Sequence, residues 1–300
     1  MTRPRQPADP PSLTTTVPRQ LVHRAAVAET LPTGWRRTSA DHFTVRAQWP
    51  RAHGLHVSPD WTAYDPLLVV ETVRQAGTLI AHAEYGVPLD HHFVLQEFHT
   101  LTRPKELAVE RLPAEPELEL AFTEVQYRGR RPTGARYTAR VLRDGAVVAT
   151  ADVSFTCVPA AVYRRLRGGR TPDTVTALPV PPGVAPAAVA RALPADVVLA
   201  PTAISGRWQL RVHTAHPVFF DHPLDHAPGM LLLEAARQAA YLGTGGTRAP
   251  AEYQAHFHRY AELDEPLWIE ARDDGTGVVQ VTGTQAESAV FTCRVGTEAR

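Results

Sequence analysis

The sequence predicts an α+β protein made of two tandem copies of one unit, each a long central helix wrapped by an antiparallel β-sheet. Three repeats in the same order carry that expectation. "LLVVETVRQAG" (67–77) and "MLLLEAARQAA" (230–240) share five of eleven residues: Leu68/Leu231, Glu71/Glu234, Arg74/Arg237, Gln75/Gln238 and Ala76/Ala239. Downstream, "HTLTRP" (99–104) falls opposite "AELDEP" (261–266) in almost the same register, with Leu101 on Leu263 and Pro104 on Pro266. "SFTCV" (154–158) then matches "VFTCR" (290–294), which makes Cys157 and Cys293 equivalent positions. Repetition at this scale marks a duplicated structural unit.

The elements follow from local signals. "MTRPRQPADPPSLTTT" has no apolar core of the kind a signal peptide needs, so residues 1–19 read as a disordered polar tail. The first unit spans 20–160. Its helix follows Asp65-Pro66, where Asp65 can cap and proline suits the first turn. Its strands read as "HFTVRAQW", "HFVLQEFHTL", "ELELAFTEVQY", "ARYTARVLR" and "AVVATADVSFTCV", the last two joined through Asp144-Gly145, a hairpin signal. Residues 161–200 hold the densest run of proline and glycine and read as a linker, with a short helix at "APAAVARAL". The second unit spans 201–300. Its helix follows Pro228-Gly229, and its strands read as "RWQLRVHT", "AEYQAHFHRYAEL", "PLWIEAR", "VVQVTGTQ" and "AVFTCRV". A helix enclosed by such a sheet is buried on most sides, which accounts for runs that are apolar almost all round.

Composition narrows the function. Lys+Arg and Asp+Glu are equal at 31 each, so there is no basic footprint for nucleic acid. No apolar run reaches the ~18 residues that suggest a membrane span. Two cysteines in 300 residues make no disulfide framework. A soluble, cytoplasmic protein is expected.

The charged triplet is the informative chemistry. Glu71, Arg74 and Gln75 stand at i, i+3 and i+4, on one helical face, as do Glu234, Arg237 and Gln238. Their flanks, "LLVV" and "MLLL", belong in a core, where a charge is costly unless paired. Such a carboxylate is either a structural ion pair or a group of shifted pKa suited to acid–base work.

"PGMLLLEAARQ" resembles the Pro-Gly-apolar-apolar-apolar-Glu-Ala-x-x-Gln helix of hot-dog acyl-carrier-protein dehydratases. In that family the glutamate is catalytic, and a loop histidine of the partner protomer completes the site. The dehydratase loop sets its His-x-Pro further ahead of Pro-Gly, whereas the candidates here are His222-Pro223 and Asp225-His226. A closer resemblance covers nearly the whole chain. "LVHR" (21–24), "DPLLVVETVRQAG" (65–77), "HHFVLQEF" (91–98) and "FFDHPLDHAPGMLLLEAARQAA" (219–240), in that order, are similar to the A-factor biosynthesis family, the tandem hot-dog proteins of actinobacterial γ-butyrolactone signalling. Arg-Gln after the glutamate in both units is specific to that resemblance.

The resemblance implies a double hot-dog fold and an acyl transfer. A β-ketoacyl group on acyl carrier protein passes to the hydroxyl of dihydroxyacetone phosphate. The ester then closes to a butenolide, a precursor of the autoregulator; a related branch makes furans. No cofactor and no metal are implied, and further pairing into a homodimer stays open. The expected catalytic residues are Glu71, Glu234, His222, Asp225 and His226, with a carboxylate of raised pKa as base. Arg74, Gln75, Arg237, Gln238 and Gly229 are the expected substrate-binding residues. The arginines offer a planar fork for phosphate, and the helix N-termini near Pro66-Leu67 or Gly229-Met230 offer amides for an oxyanion. An arginine paired with its own glutamate would depress the base and be less free for phosphate, which favours a division of work between the units. A loop from one unit facing the helix glutamate of the other would bring His222, Asp225 or His226 to Glu71. The alternatives are a hot-dog thioesterase or dehydratase acting on a carrier-bound chain, and a non-catalytic ligand-binding protein.

The remaining features read as structural. The histidines of "HFH" (256–258), "DHH" (90–92) and "HPLDH" (222–226) lack zinc-site spacing. Cys157 and Cys293 have no activating neighbour in sequence. The arginine clusters "YRGRRPTGAR" (127–136) and "YRRLRGGR" (163–170) read as loops, suited to solubility or to docking an acidic carrier protein. No Gly-rich nucleotide loop and no Gly-x-Ser-x-Gly elbow occurs.

Overall fold

The structure, a computed structural model, describes residues 15–299. In chain order the first unit holds β1 (Pro32–Ser39), β2 (His42–Ala47), α1 (Pro66–Ala83), β3 (His92–Thr102), β4 (Glu117–Arg128), β5 (Arg131–Arg143) and β6 (Ala146–Val158). A short helix, α2 (Ala160–Leu166), leads to β7 (Leu199–Pro201), β8 (Arg207–Leu210), α3 (Gly229–Gly243), β9 (Arg248–Phe257), β10 (Trp268–Asp273), β11 (Val278–Gln285) and β12 (Ser288–Ala299). All twelve strands form one sheet in the order β1-β2-β4-β5-β6-β3-β9-β12-β11-β10-β8-β7, and every pairing is antiparallel. The order reads alike from both edges: β3 corresponds to β9, β6 to β12, and so outward. The duplication is therefore an approximate two-fold in the fold itself, with its seam where β3 pairs β9 (Glu97 opposite His256, Leu101 opposite Glu252).

Each sheet half wraps its helix. From Leu67 to His82, every residue of α1 except Arg74 is buried, and from Leu231 to Tyr241 every residue of α3 is buried, Arg237 included. Asp65 caps α1, accepting from the Leu67 amide at 2.9 Å, as the Asp-Pro signal predicts. The Asp144-Gly145 turn has positive φ at both residues (50° and 81°), the geometry of a two-residue hairpin. Gly77 of α1 lets the helix press on β5: a Cβ there would lie 2.3 Å from the Tyr137 hydroxyl, which donates to the Val73 carbonyl at 3.0 Å.

Several segments differ from the sequence-based expectation. The expected tail falls largely outside the described residues, but its end is anchored: the Val17 amide donates to the Pro32 carbonyl at 2.9 Å and Val17 is buried. The proline-rich stretch 161–200 carries α2 and a 3₁₀ turn, Pro186–Val189, and soon after it comes Arg191, whose side chain is buried against Glu234. "YRGRRPTGAR" is the tight β4–β5 hairpin, not a loop, and "YRRL" is helix. Strand β9 stops at Phe257, so "AELDEP" is not strand as its partner "HTLT" is; Ala261 and Glu262 instead bridge to Ala227 and His226. No helix among the described residues is long and apolar enough to cross a membrane.

Candidate active site

Each unit begins with a short arm that locks onto its helix. A 3₁₀ turn, Arg19–Val22 or Pro186–Val189, ends in a left-handed residue, His23 or Ala190, both at φ 53°. The next residue in each arm is an arginine aimed at the helix glutamate. Arg24 donates to Glu71 Oε1 from Nε at 3.0 Å and Nη2 at 2.5 Å. Arg191 donates to Glu234 Oε1 at 2.8 Å and Oε2 at 2.5 Å. The helix arginines complete each clamp: Arg74 reaches Glu71 at 2.8 and 2.7 Å, and Arg237 reaches Glu234 at 2.9 Å twice.

The glutamines staple the arms down. Gln75 donates to Glu71 and to the Glu29 carbonyl (2.6 and 2.7 Å) and accepts from the Leu31 amide (2.9 Å). Gln238 does the same with Glu234, the Asp196 carbonyl and the Val198 amide (2.6, 2.7 and 3.0 Å). The repeated triplet is thus first a device for fixing an incoming chain to a buried helix, each polar group finding its partners inside.

This geometry corrects the expected raised pKa. Burial alone would push both glutamates up, but two guanidinium groups on each outweigh it, and Glu71 and Glu234 are held well below the usual carboxylate range. Neither is a free base at neutral pH.

Loops from each unit cross to the other. Leu55 of the first unit accepts from Arg191 Nη1 at 2.7 Å, and Val218 of the second accepts from Arg24 Nη1 at 3.3 Å. The loops share one fold: His53 Nδ1 accepts the amides of Leu55 and His56, as His216 Nδ1 accepts those of Val218 and Phe219. Asp221 seals the second loop onto the first arm, accepting from the Ala25 and Ala26 amides at 2.5 and 2.9 Å. Each unit's loop therefore reaches the arm arginine of the other unit.

The three loop candidates separate. Asp221 holds the neighbouring His222 (3.4 Å), which stands close enough to His23 to lower its pKa. Asp225 and His226 point elsewhere, contrary to the expectation that they meet Glu71. Asp225 accepts from Tyr163 (2.7 Å) and Arg167 (2.8 Å) and bonds His226 (2.7 Å); Arg167 also grips Glu262 at 2.7 Å. That buried ion pair ties α2 to the loop, and among the described residues no hydrogen bond joins His222, Asp225 or His226 to Glu71. The same set shows no group of three or more His, Cys, Asp or Glu side chains placed for a metal. Burial raises both thiols, Cys157 to about 12, so neither is a nucleophile at neutral pH.

The sequence profile described as "A-factor biosynthesis hotdog domain" matches residues 5–159 and 173–296, one match for each unit. The chain belongs to the A-factor biosynthesis hot-dog family. A Streptomyces virginiae relative named 2-oxo-3-(phosphooxy)propyl 3-oxoalkanoate synthase is 47% identical over 291 residues, covering 95% of this chain and 98% of that one. A relative of the same name from Streptomyces coelicolor is 40% identical over 92% of this chain and 89% of its own. Among solved structures, the 12:0-ACP thioesterase of Umbellularia californica (TM-score 0.54, 12% identity, 86% of this chain and 98% of that one) and an acyl-ACP thioesterase of Bacteroides thetaiotaomicron (0.52, 12%, 85% and 98%) share the fold.

In this A-factor family member the two clamps are not equivalent. Arg74 keeps 25% of its side chain exposed, Arg237 only 6%. Only the first arm carries histidine, His23 against Ala190, and the helix register sets Gly245 where the first unit has His82. The helix starts differ too. In α1 proline fills the first position and Asp65 takes the Leu67 amide, whereas α3 has no side-chain cap, and among the described residues the Gly229 and Met230 amides make no hydrogen bond. Gly229 sits against Leu95 and Phe257, the side chains at the seam, and Phe93, two residues from Leu95, packs edge-on to His23 at 5.1 Å. The open clamp of one unit and the uncapped helix start of the other thus flank one apolar strip.

Sequence reasoning missed Arg24, Arg191, His23 and His82. The signal was available: "LVHRA" (21–25) repeats as "AVARA" (188–192), but the second copy lies in the proline-rich stretch read as linker.

Proposed function

We propose that this chain, like the relatives it matches over most of their length, joins a 3-oxoacyl group to a phosphorylated three-carbon alcohol, giving a 2-oxo-3-(phosphooxy)propyl 3-oxoalkanoate. The acyl donor is the thioester on acyl carrier protein and the acceptor is dihydroxyacetone phosphate. The observation that carries the reading is the asymmetry just described. Arg74 is the clamp arginine with an accessible edge, and the Gly229 and Met230 amides at the start of α3 are free of hydrogen bonds among the described residues.

In this reading Glu71 holds the Arg74 guanidinium plane toward the phosphate, and His222 flanks it. The acyl chain lies along Phe93, Leu95, Met230 and Phe257, all partly buried at the seam. The Gly229 and Met230 amides face the thioester carbonyl oxygen and stabilise the charge it gains when the hydroxyl oxygen attacks. The new C–O bond forms, the C–S bond breaks, and the carrier thiol leaves with one proton. Intramolecular condensation of the ester then yields the butenolide ring. Glu234, Arg237 and Gln238 brace the second unit. The cytoplasm is the compartment this reading assigns.

The test is direct. Purified protein, a 3-oxoacyl carrier protein and dihydroxyacetone phosphate are mixed and followed by mass spectrometry. A phosphorylated ester or its butenolide is expected only with both substrates present. Free 3-oxo acid released without the triose phosphate would instead make the protein a hydrolase.

A further inference from the structure

We propose that Nδ1 of His23 is the base that takes the acceptor's hydroxyl proton, and that His82 is the positioning residue that fixes the His23 tautomer. The proposal rests on the acyl-transfer reading above and adds the group that moves the proton.

The tautomers follow from one carbonyl. His82 Nδ1 lies 2.7 Å from the Val87 carbonyl oxygen, which can only accept, so Nδ1 carries the hydrogen. His82 is buried, and burial lowers its pKa, which leaves the ring neutral and its Nε2 a lone pair. That Nε2 lies 2.8 Å from Nε2 of His23, so His23 donates there. The lone pair of His23 is therefore on Nδ1, which has no hydrogen-bond partner among the described residues. The relay runs from the Val87 carbonyl through His82 to His23. A buried group that fixes a base's tautomer through its far nitrogen is the arrangement by which a catalytic histidine is oriented.

The backbone supports the same conclusion. His23 is held left-handed at φ 53°, an uncommon conformation for a residue other than glycine. Its chain neighbour Arg24 is fixed to Glu71, and its ring is wedged between His82 (4.9 Å) and Phe93 (5.1 Å). The charged and titratable groups around it are His82 and Arg74 from α1, His222 from the crossing loop and His92 from β3, and all of them act to keep it neutral. Burial is the largest influence, and together they lower His23 to about 3. A phosphate dianion bound beside Arg74 opposes that guanidinium's influence and raises the basicity of His23 when the acceptor is seated. The duplication is an internal control. Ala190 and Gly245 stand where the second unit would need this pair, so only one copy has the relay.

The step balances without any further reagent. The hydroxyl hydrogen passes to His23 Nδ1 as its oxygen bonds the thioester carbon. When the C–S bond breaks, the same proton passes from Nδ1 to the departing sulfur, giving the free thiol.

Two measurements test this on the full chain. Long-range ¹H–¹⁵N correlation of the histidine rings at neutral pH should show His23 protonated at Nε2 and bare at Nδ1, with His82 the reverse; a proton on His23 Nδ1 overturns the proposal whether or not turnover is observed. In the coupled assay, His23→Ala should lower kcat by about 100-fold or more, the range of a lost general base, with KM for the triose phosphate within about threefold. His82→Gln, whose amide oxygen can still accept from His23, should retain clearly more activity than His82→Leu, with circular dichroism unchanged in both. A His23→Ala enzyme within about tenfold of the parent, or equal loss in the two His82 variants, overturns it. Absence of ester from the unaltered protein would strike the acyl-transfer reading instead, and the ring tautomers would still decide the relay.

Discussion

Asp65 lies 3.0 Å from Arg191 across the seam and 2.9 Å from the Leu67 amide in its own unit. One carboxylate thus caps α1 and grips the arm of the other half, where the second unit has Pro228 in the matching place. Arg191 therefore serves two buried acids. Arg191→Met should cost about 3–5 kcal/mol in urea unfolding, the price of stranding a buried charge. Arg24→Met should cost less, because Arg24 serves one buried acid, Glu71, which Arg74 keeps paired.

His56 occupies the position of Phe219 and leaves its Nδ1 buried without a partner. Burial first, then His53, lowers its pKa from 6.5 to about 4. The unfolded chain therefore binds a proton between those values that the folded chain refuses, so stability falls as pH drops through about 6.5 toward 4. His56→Phe should raise the melting temperature, and by more at pH 5 than at pH 7.5. An equal gain at both pH values would remove histidine burial as the cause.

A second acid transition should follow. Glu71, Glu234 and Asp225 are all depressed in the fold: burial acts upward on each, and their arginine, glutamine, tyrosine and histidine partners outweigh it. Their stabilisation is present above the unfolded carboxylate value of about 4 and is lost as pH falls below it toward the folded values. Thermal melts from pH 7 to pH 2.5 should show a steeper decline below about 4, weakened in Glu234→Gln.

Arg74 presents its fork to the phosphate in the proposed complex. Arg74→Lys keeps the charge and loses the plane, so KM for the triose phosphate should rise by about tenfold or more, the value of one charge-assisted hydrogen bond. Unchanged KM would place the phosphate elsewhere.

Glu71→Gln separates two roles for the carboxylate. As a holder of Arg74, its loss should lower kcat/KM about tenfold and leave the acidic limb of the pH profile in place. Disappearance of that limb would make Glu71 the titrating base.

The duplication, both long helices, the Asp65 cap and the Asp144-Gly145 hairpin were legible because periodicity and turn chemistry are local. The triplet was legible as important but not as an arm clamp, since its partners Arg24 and Arg191 are brought in by tertiary packing. Arg191 was further hidden by proline-rich surroundings that resemble a linker. Asp225 and His226 looked catalytic from their place before the helix, yet Arg167, read as a loop arginine, draws them into an ion pair. His23 and His82 are far apart in sequence and meet only because the left-handed arm lays one against the last turn of α1.

A symmetric pair of identical subunits must keep both of its clefts alike, since every substitution falls on both. Here β3 and β9 join the halves within one chain, and that constraint is gone. One half carries Ala190 and a buried Arg237, while the other carries His23 and an Arg74 with an accessible edge. Covalent union leaves each half free to differ from the other, and β3 paired to β9 is what holds the unlike halves together.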